Sequence, residues 1–324
     1  MTSATAPDPT AARGPAEPVP APQLPTPADV AAAASRLRPY VRRTPLLRIA
    51  LDGRALLLKL EQLQLSGSFK LRGALNSVLA GHADEHVVTA SGGNHGLGVA
   101  TAASLLGIGA TVFVPESVPE IKARRIAATG VRLVRHGQTY AEAALAAAEL
   151  ALRPGHRYVP AFDDPLVVAG NGTVAAEVVA DAPEVNTVVV AAGGGGLAAG
   201  TALAVEDRLL VAAEPERCRA LHDALAAGHP VDAPVQSVAA SALGATRVGE
   251  VPFGVLQQRE PATLSSVLVT EEQILAARDR LWEECRLATE PAAAVPLAAW
   301  LAGLVPGELP CLVICGANAE WTPL

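Results

Sequence analysis

Short apolar runs alternate with alanine-rich stretches along most of the chain, and this alternation restricts the folds open to it. Strands that are buried on both faces appear as continuous apolar runs, and strands separated by helices assemble into parallel sheets. The predicted strands form two series, at 86–90, 110–114 and 131–134, and at 186–192, 208–213 and 310–316. The two series predict an α/β fold with two open, twisted parallel-sheet domains and a ligand cleft between them.

Helical patterns accompany the first series of strands, at about 94–106, 119–129 and 138–152. An earlier helix is predicted to begin after Thr26, whose hydroxyl can accept a hydrogen bond at the helix start. Pro27 suits the first helical position, and the negative charge of Asp29 in the first turn is favourable against the helix dipole. Ordered structure is therefore predicted to start near this helix.

Composition limits the class of protein. With 50% hydrophobic and 18% charged residues, the 324-residue chain can bury a large core. A net charge of −7 argues against nucleic-acid binding, and no apolar run reaches the roughly 18 residues that span a membrane. Residues 1–25 are rich in alanine and proline, lack the apolar segment of a secretory signal, and are predicted to be a disordered tail. Four cysteines without a CxxC pair indicate reduced thiols in a cytoplasmic protein.

Lysine is rare in this chain, and Lys70 stands in the segment "SGSFKLRG". Three of the 25 basic residues are lysines and the rest are arginines. An arginine keeps its proton in a protein, whereas a lysine can lose it and then attack a carbonyl carbon. A chain that uses arginine elsewhere is expected to keep lysine where the amine reacts, although this segment alone fits a surface lysine equally well.

Four consecutive glycines stand between a predicted strand and a predicted helix: Gly193, Gly194, Gly195 and Gly196. The backbone N–H groups of such a turn can surround a phosphate, which the start of the helix also favours. The spacing GxGxxA, with Glu214 about 20 residues further on, also fits a dinucleotide-binding motif. An NAD-dependent oxidoreductase is therefore an alternative, but it leaves the Lys70 segment unexplained.

The segment "SGGNH", residues 91–95, follows the predicted strand 86–90 and opens a helix. Backbone N–H groups at a helix start could hold a carboxylate, and the Asn94 amide could bond a phenolic oxygen or an acid. An ordinary helix cap with glycine turn residues explains the segment equally well. His95 taken alone is more typical of a structural histidine.

A set of segments in a fixed order resembles the serine/threonine dehydratases: "RRTPLLRI", "SGSFKLRGALN", "TASGGNHGLGVA", "FDDP", "AGNGTVAAEV", "GGGGLAAG", "AAEPE", "EPAAAVPLA" and "CGAN". These dehydratases are pyridoxal-phosphate enzymes of the tryptophan-synthase-β-like fold, called fold type II. The resemblance covers residues 28–318 and implies that the cofactor lies in the cleft between the two domains. It implies a large cofactor-binding domain at 26–84 and 158–324, and a small α/β domain at 85–157.

The resemblance also assigns the cofactor-binding residues. Lys70 would bind pyridoxal phosphate as a Schiff base and act as the base at Cα once substrate displaces it. Phe69 would pack on the cofactor ring, and Asn94 would bond the 3′-oxygen. The amides of Gly193–Gly196 and Leu197 would bind the phosphate.

Further roles follow from the same resemblance. Cys315 would face the pyridine nitrogen, Glu290 would lie near the same end of the ring, and Glu214 matches a cation-site glutamate. A thiol cannot easily hold the pyridine nitrogen protonated, which would favour elimination over a long-lived carbanion. The loop that would hold the substrate consists of Ser91, Gly92, Gly93, Asn94 and His95.

Departures from the family pattern narrow the expected reaction. Racemases have a serine where this chain has Gly92, so elimination is favoured over racemisation. Ala220 replaces an acid of the racemase cation site, which makes a divalent ion doubtful and leaves a monovalent cation open. Little chain follows "CGANAEW", so no regulatory domain is expected.

The expected activity is that of a dehydratase (ammonia-lyase) for L-threonine or L-serine, in a cytoplasmic homodimer without nucleic-acid or membrane partners. Within the family, a serine racemase and a hydroxyaspartate or arylserine dehydratase are alternatives. A non-catalytic sensor is a further alternative, which the presence of Lys70 disfavours. Substrate specificity is expected to depend on side chains of the cleft, for which the segment 241–250 is a candidate.

Overall fold

The structure is a computed structural model that describes residues 23–82 and 84–319. The tail predicted at 1–25 falls mostly on residues 1–22, which lie outside the described residues. Leu24, near the start of the described chain, packs against the larger hydrophobic core.

The described residues contain ten strands: β1 (Leu46–Leu51), β2 (Arg54–Lys59), β3 (His86–Ala90), β4 (Ala110–Val114), β5 (Arg132–Arg135), β6 (His156–Tyr158), β7 (Thr187–Ala191), β8 (Leu209–Pro215), β9 (Leu264–Val269) and β10 (Pro310–Val313). They contain twelve α-helices: α1 (Pro27–Leu37), α2 (Lys70–Ala80), α3 (Asn94–Leu106), α4 (Glu120–Ala127), α5 (Tyr140–Ala151), α6 (Pro165–Asp181), α7 (Gly196–Ala204), α8 (Ala220–Ala227), α9 (Ala240–Leu243), α10 (Glu250–Gln257), α11 (Glu271–Cys285) and α12 (Pro291–Leu301). None of the helices in this described part combines the length and apolar character needed to cross a bilayer.

The strands form two sheets, as the alternation of apolar runs predicted. The smaller sheet has the order β5-β4-β3-β6, and all of its strands are parallel. The larger sheet has the order β1-β2-β10-β7-β8-β9, and it is parallel from β2 to β9. Both β4 and β7 are buried along their whole length, which explains why their sequences are continuous apolar runs.

An antiparallel hairpin at the edge of the larger sheet was absent from the sequence-based expectation. Strands β1 and β2 pair antiparallel through a turn at Asp52 and Gly53. Both turn residues have positive φ, 49° and 75°, which is the geometry of a tight hairpin turn. The Asp-Gly pair between two apolar runs is a sequence signal for this hairpin.

The first helix begins as predicted. The Thr26 hydroxyl accepts a hydrogen bond from the Asp29 backbone N–H, and the Asp29 carboxylate accepts one from the Thr26 N–H at 2.8 Å. This reciprocal capping box satisfies backbone donors that an uncapped helix leaves free.

Helices α2 and α3 lie in direct backbone contact, which brings their N-terminal ends together. At Gly98 of α3, a Cβ atom would lie 3.1 Å from the carbonyl carbon of Lys70 at the start of α2. Because a glycine stands at this point, the two helices can approach closely without displacing either backbone. The loop after β3 and the start of α2 therefore lie side by side.

Candidate active site

A cavity of about 610 Å³ lies where loops of the two sheets meet. Its walls come from the start of α2, from the loops that follow the carboxyl ends of β3, β6, β7 and β10, and from residues 240–250. Ligands of open parallel sheets bind at this edge, and the volume is typical of a small-molecule site. The segment 241–250, a candidate for substrate specificity, lines the cavity throughout.

Most of the residues singled out from the sequence meet in this cavity. The following predicted residues line it: Phe69, Lys70, Ser91, Gly93, Asn94, His95, Gly193, Gly194, Gly195, Gly196, Leu197, Glu290 and Cys315. Gly92 and Glu214 are not among its lining residues. A Cβ atom at Gly92 would lie 2.5 Å from Cγ2 of Val118, so this residue faces the neighbouring loop.

Lys70 presents a primary amine to the cavity. Its Nζ atom donates a hydrogen bond to the carbonyl oxygen of Ala161 at 2.8 Å. Burial lowers the pKa of this amine to about 8, and the nearby Cys315 and Glu290 act in the opposite direction. Near neutral pH an appreciable fraction of the amine is therefore unprotonated, which is the form that acts as a nucleophile or a base.

The glycine loop after β7 presents unpaired backbone donors. The N–H groups from Gly193 to Leu197 donate to no acceptor among the described residues, and the start of α7 has no side-chain cap. At Gly195, φ is 88° and a Cβ atom would lie 2.8 Å from Pro252, so glycine is required on both grounds. Unpaired N–H groups at a helix N-terminus form a binding site for an anion such as phosphate.

Asn94 is held between two side chains from the other side of the cavity. Its Nδ2 donates to Oε1 of Glu290 at 2.6 Å, and its Oδ1 accepts from Nδ2 of Asn318 at 2.9 Å. Glu290 is 3% exposed, and burial raises the pKa of its carboxyl group to about 7. Burial likewise raises the pKa of the Cys315 thiol, which is therefore neutral. The sequence-based assignment had not included Asn318.

His95 is buried at the second position of α3. Its Nε2 atom lies 2.9 Å from the carbonyl oxygen of Val159, and its Nδ1 atom has no hydrogen-bond partner among the described residues. Burial and, to a smaller extent, the charge of Lys70 lower the pKa of the imidazole to about 3. The ring is therefore neutral, and its proton resides on Nε2 because only a donor can bond a carbonyl oxygen.

Glu214 lies at the end of β8, away from the cavity lining. Its two carboxylate oxygens accept hydrogen bonds from the backbone N–H groups of Leu221 at 2.9 Å and His222 at 2.7 Å, in the first turn of α8. Residues 23–82 and 84–319 contain no group of three or more His, Cys, Asp or Glu side chains arranged to hold a metal ion. Glu214 therefore acts as a helix cap here, and its role in binding a cation stays a prediction.

The buried Glu214 should make stability depend on pH. Burial raises its pKa from 4.5 to about 8, so between these values the folded chain binds more protons than the unfolded chain. The contribution of this group to the unfolding free energy therefore falls as pH rises from about 4.5 to about 8. Glu214→Gln removes this titration, so urea unfolding in buffer without potassium should show the variant gaining stability relative to wild type as pH rises across that window. A difference that stays constant with pH would contradict the assignment.

Sequence and structure comparisons identify the family. The family model described as a pyridoxal-phosphate dependent enzyme matches residues 37–316. The chain is 37% identical over 299 residues to the L-threonine ammonia-lyase of Geobacter sulfurreducens, covering 88% of this chain and 73% of that protein. It is 33% identical over 289 residues to the catabolic L-threonine dehydratase of Staphylococcus aureus (strain USA300), covering 86% of this chain and 83% of that protein.

Solved structures show the same relationship. The chain resembles the T.th. threonine deaminase with a TM-score of 0.86 at 36% identity, covering 92% of this chain and 100% of that one. It resembles the serine racemase of Dictyostelium discoideum with a TM-score of 0.84 at 27% identity, covering 92% and 99% of the two chains. The chain therefore belongs to the family of pyridoxal-phosphate dependent enzymes, with the fold type II architecture that its motifs indicated.

Proposed function

We propose that the enzyme is an ammonia-lyase that converts L-threonine or L-serine to a 2-oxo acid and ammonia. The observation that carries this proposal is the Lys70 amine, which has a lowered pKa and shares one cavity with the unpaired N–H groups of the glycine loop. The similarity to proteins named L-threonine ammonia-lyase and L-threonine dehydratase supports threonine as the first substrate to test. Family membership excludes the NAD-dependent oxidoreductase that the glycine spacing allowed.

The residues of the cavity fit pyridoxal phosphate. The unpaired N–H groups between Gly193 and Leu197 match its phosphate, and the Lys70 amine matches its aldehyde. The Asn94 amide would bond the phenolic oxygen, and the neutral Cys315 thiol would face the ring nitrogen. When bound, the cofactor supplies an electron sink for the electrons released at the substrate Cα.

The chain's own groups provide substrate binding and proton transfer. The backbone N–H groups of Asn94 and His95 donate to no acceptor among the described residues, and at the N-terminus of α3 they can hold the substrate carboxylate. Lys70 takes the proton from Cα, and the Ala161 carbonyl oxygen orients its amine. Loss of the β-hydroxyl and hydrolysis then give the 2-oxo acid and ammonia, with the water lost in the first step regained in the second.

Elimination is favoured over racemisation by the local structure at Gly92. Racemisation needs a proton donor on the face of Cα opposite the base, and glycine has no donor in its side chain. A serine at this position would also bring its Cβ atom within 2.5 Å of Val118. Cys315 supports the same conclusion, because a neutral thiol leaves the ring nitrogen unprotonated and weakens the electron sink.

An assay of both products tests this proposal. The purified full-length enzyme with pyridoxal phosphate is incubated with L-threonine or L-serine, and 2-oxo acid, ammonia and D-amino acid are measured. Release of 2-oxo acid and ammonia in equal amounts is expected. D-serine as the main product would replace the proposal with a racemase. Turnover of hydroxyaspartate or an arylserine alone would keep the elimination reaction and overturn the proposed substrates.

The glycine loop gives a prediction for cofactor affinity. Gly195→Ala should weaken pyridoxal phosphate binding at least about tenfold, because alanine at a φ of 88° is strained and its Cβ contacts Pro252. Gly228→Ala is the matched control, since Gly228 has a φ of 75° with nothing within 4 Å of its Cβ position. Titration of the cofactor-free proteins, followed by absorbance, measures both affinities. Equal affinities in the two variants would contradict a phosphate site at this loop.

We also propose the division into a large domain, at 26–84 and 158–324, and a small domain at 85–157. The strands of the smaller sheet all lie within residues 86–158, which supports this division. A cytoplasmic location, a homodimer and a monovalent cation near Glu214 stay predictions. Analytical ultracentrifugation tests the dimer, and the potassium dependence of activity tests the cation.

A further inference from the structure

The His95 imidazole has one nitrogen that nothing in the described protein satisfies. Its Nε2–H donates to the Val159 carbonyl oxygen, which fixes the tautomer and leaves Nδ1 as an acceptor. Nδ1 is buried and lacks a partner among the described residues. A buried acceptor without a donor is unfavourable by about 1–3 kcal/mol, so its presence in a folded protein requires an explanation, and a catalytic role is one.

The Lys70 amine lies close enough to the His95 ring for its charge to act on the imidazole. Both side chains line the same cavity, and both bond carbonyl oxygens of one short segment, His95 that of Val159 and Lys70 that of Ala161. Gly98, three residues after His95 and on the same side of α3, lies against the backbone of Lys70. The two side chains therefore extend from helices in contact towards the same three residues.

The donors of Lys70 and the acceptor of His95 are complementary. A protonated lysine has three N–H groups, and the Ala161 carbonyl oxygen accepts one of them. The titratable groups that face Lys70 are the Glu290 carboxyl at the start of α12 and the neutral Cys315 thiol after β10, while His95 on α3 faces it as a neutral ring. A neutral imidazole can accept a hydrogen bond from an ammonium group, whereas a charged one would repel it.

We propose that His95 is a positioning residue for Lys70, with Nδ1 accepting a hydrogen bond from the Lys70 side chain when that amine is protonated and not bound to the cofactor. This inference rests on the proposed function, in which Lys70 becomes free and takes a proton at Cα. The ammonium group formed in that step is then held by two acceptors, the Ala161 carbonyl oxygen and Nδ1. His95 keeps the amine directed at the reacting carbon and stabilises its charge when it is protonated.

Two substitutions separate the two nitrogens of the ring. His95→Gln places an amide near the Nε2 position, so it can keep the bond to Val159 while it loses the acceptor near Lys70. His95→Asn places a carbonyl oxygen near the Nδ1 position, so it keeps the acceptor and loses the bond to Val159. If His95 only supports the fold, His95→Asn should be the more destabilising change, because it loses the bond to Val159. If His95 positions Lys70, His95→Gln should be the change that alters the Lys70 pKa.

The pKa of Lys70 is the direct readout, and it does not depend on turnover. In the full-length, cofactor-free chain, the rate at which Lys70 is acetylated is measured against pH by peptide mass spectrometry. His95→Gln should lower the Lys70 pKa by about one unit, a tenfold change in proton affinity. His95→Asn should leave it close to the wild-type value. In the holoenzyme, His95→Gln should lower kcat about tenfold with little change in KM.

The opposite pattern, with an unchanged Lys70 pKa in His95→Gln, would overturn the proposal. If either variant fails to fold, ¹⁵N-histidine spectra of wild type and Lys70→Met decide, because loss of the amine should move the Nδ1 resonance of His95. An unmoved resonance would likewise overturn it. Failure of the proposed function is distinguishable, since an enzyme that releases no 2-oxo acid can still show the shift in the Lys70 pKa.

Discussion

Lys70→Ala is expected to reduce turnover of L-threonine and L-serine by about 10³-fold or more. The variant loses the only amine that lines the cavity among the described residues, and with it both the attachment point of the cofactor and the base for the Cα proton. Steady-state release of 2-oxo acid measures the effect, and gel filtration should show that the cofactor no longer stays bound to the protein.

Two control variants distinguish the loss of the reactive amine from the loss of the positive charge at residue 70. Lys70→Arg keeps a positive charge at the same place, but arginine does not lose its proton, so this variant should be as inactive as Lys70→Ala. Lys122→Arg makes the same change on helix α4, outside the cavity lining, and should retain turnover close to wild type. Wild-type turnover in Lys70→Ala or Lys70→Arg would contradict the assignment of this lysine.

Arg72→Met is expected to destabilise the fold by about 3–5 kcal/mol, the effect of leaving a buried carboxylate without its partner. Arg72 is fully buried two residues after Lys70, and its guanidinium donates to both oxygens of Glu61, at 2.7 and 2.8 Å. It also donates to Glu177 at 2.8 and 2.9 Å, and the buried Lys59 donates to the same carboxylate at 2.6 Å. Removal of Arg72 therefore leaves two carboxylates that share a single remaining cation.

This cluster ties helix α2 to β2 and α6. Burial alone would raise the pKa of Glu61, but the charge and hydrogen bonds of Arg72 lower it, so the carboxylate is charged in the folded chain. Urea unfolding of Arg72→Met measures the loss. Arg124→Met, which breaks the exposed pair with Glu120 on α4, is the control and should change the unfolding free energy by about 1 kcal/mol or less. Equal effects of the two variants would contradict the account of the buried cluster.

Elements with strong local signals were predicted correctly from the sequence. The strand and helix at 86–90 and 94–106 have the predicted bounds, and the cap at Thr26 forms as expected. Each of these depends on neighbouring residues, such as an apolar run or a capping hydroxyl. The β1–β2 hairpin was missed although Asp52 and Gly53 signal it, because the expectation of parallel strands left the region without an assignment.

The rarity of lysine was a useful but incomplete guide to the site. Lys59 is another of the three lysines and is fully buried, yet it is paired with Glu177 in the ion cluster. The difference between a paired and an unpaired lysine depends on residues more than 100 positions away, which no local pattern contains. The positions of Asn318 and of the carbonyl oxygens of Val159 and Ala161 depend in the same way on how the two sheets meet.

Gly92 illustrates what a motif cannot specify. Its place in "SGGNH" suggested contact with the substrate, as for its neighbours Ser91 and Gly93. In the structure it faces Val118, because the turn between β3 and α3 directs successive residues to different sides. The direction of a residue in a turn follows from backbone geometry, which the order of residues alone does not give.

The site of cofactor attachment is the most direct test of the central claim, because the chain contains only three lysines that could bind it. The purified enzyme with pyridoxal phosphate is reduced with borohydride, digested and analysed by mass spectrometry. The account predicts that the mass of the reduced cofactor is found on the peptide that contains Lys70. Attachment at Lys59 or Lys122, or no attachment at all, would contradict it.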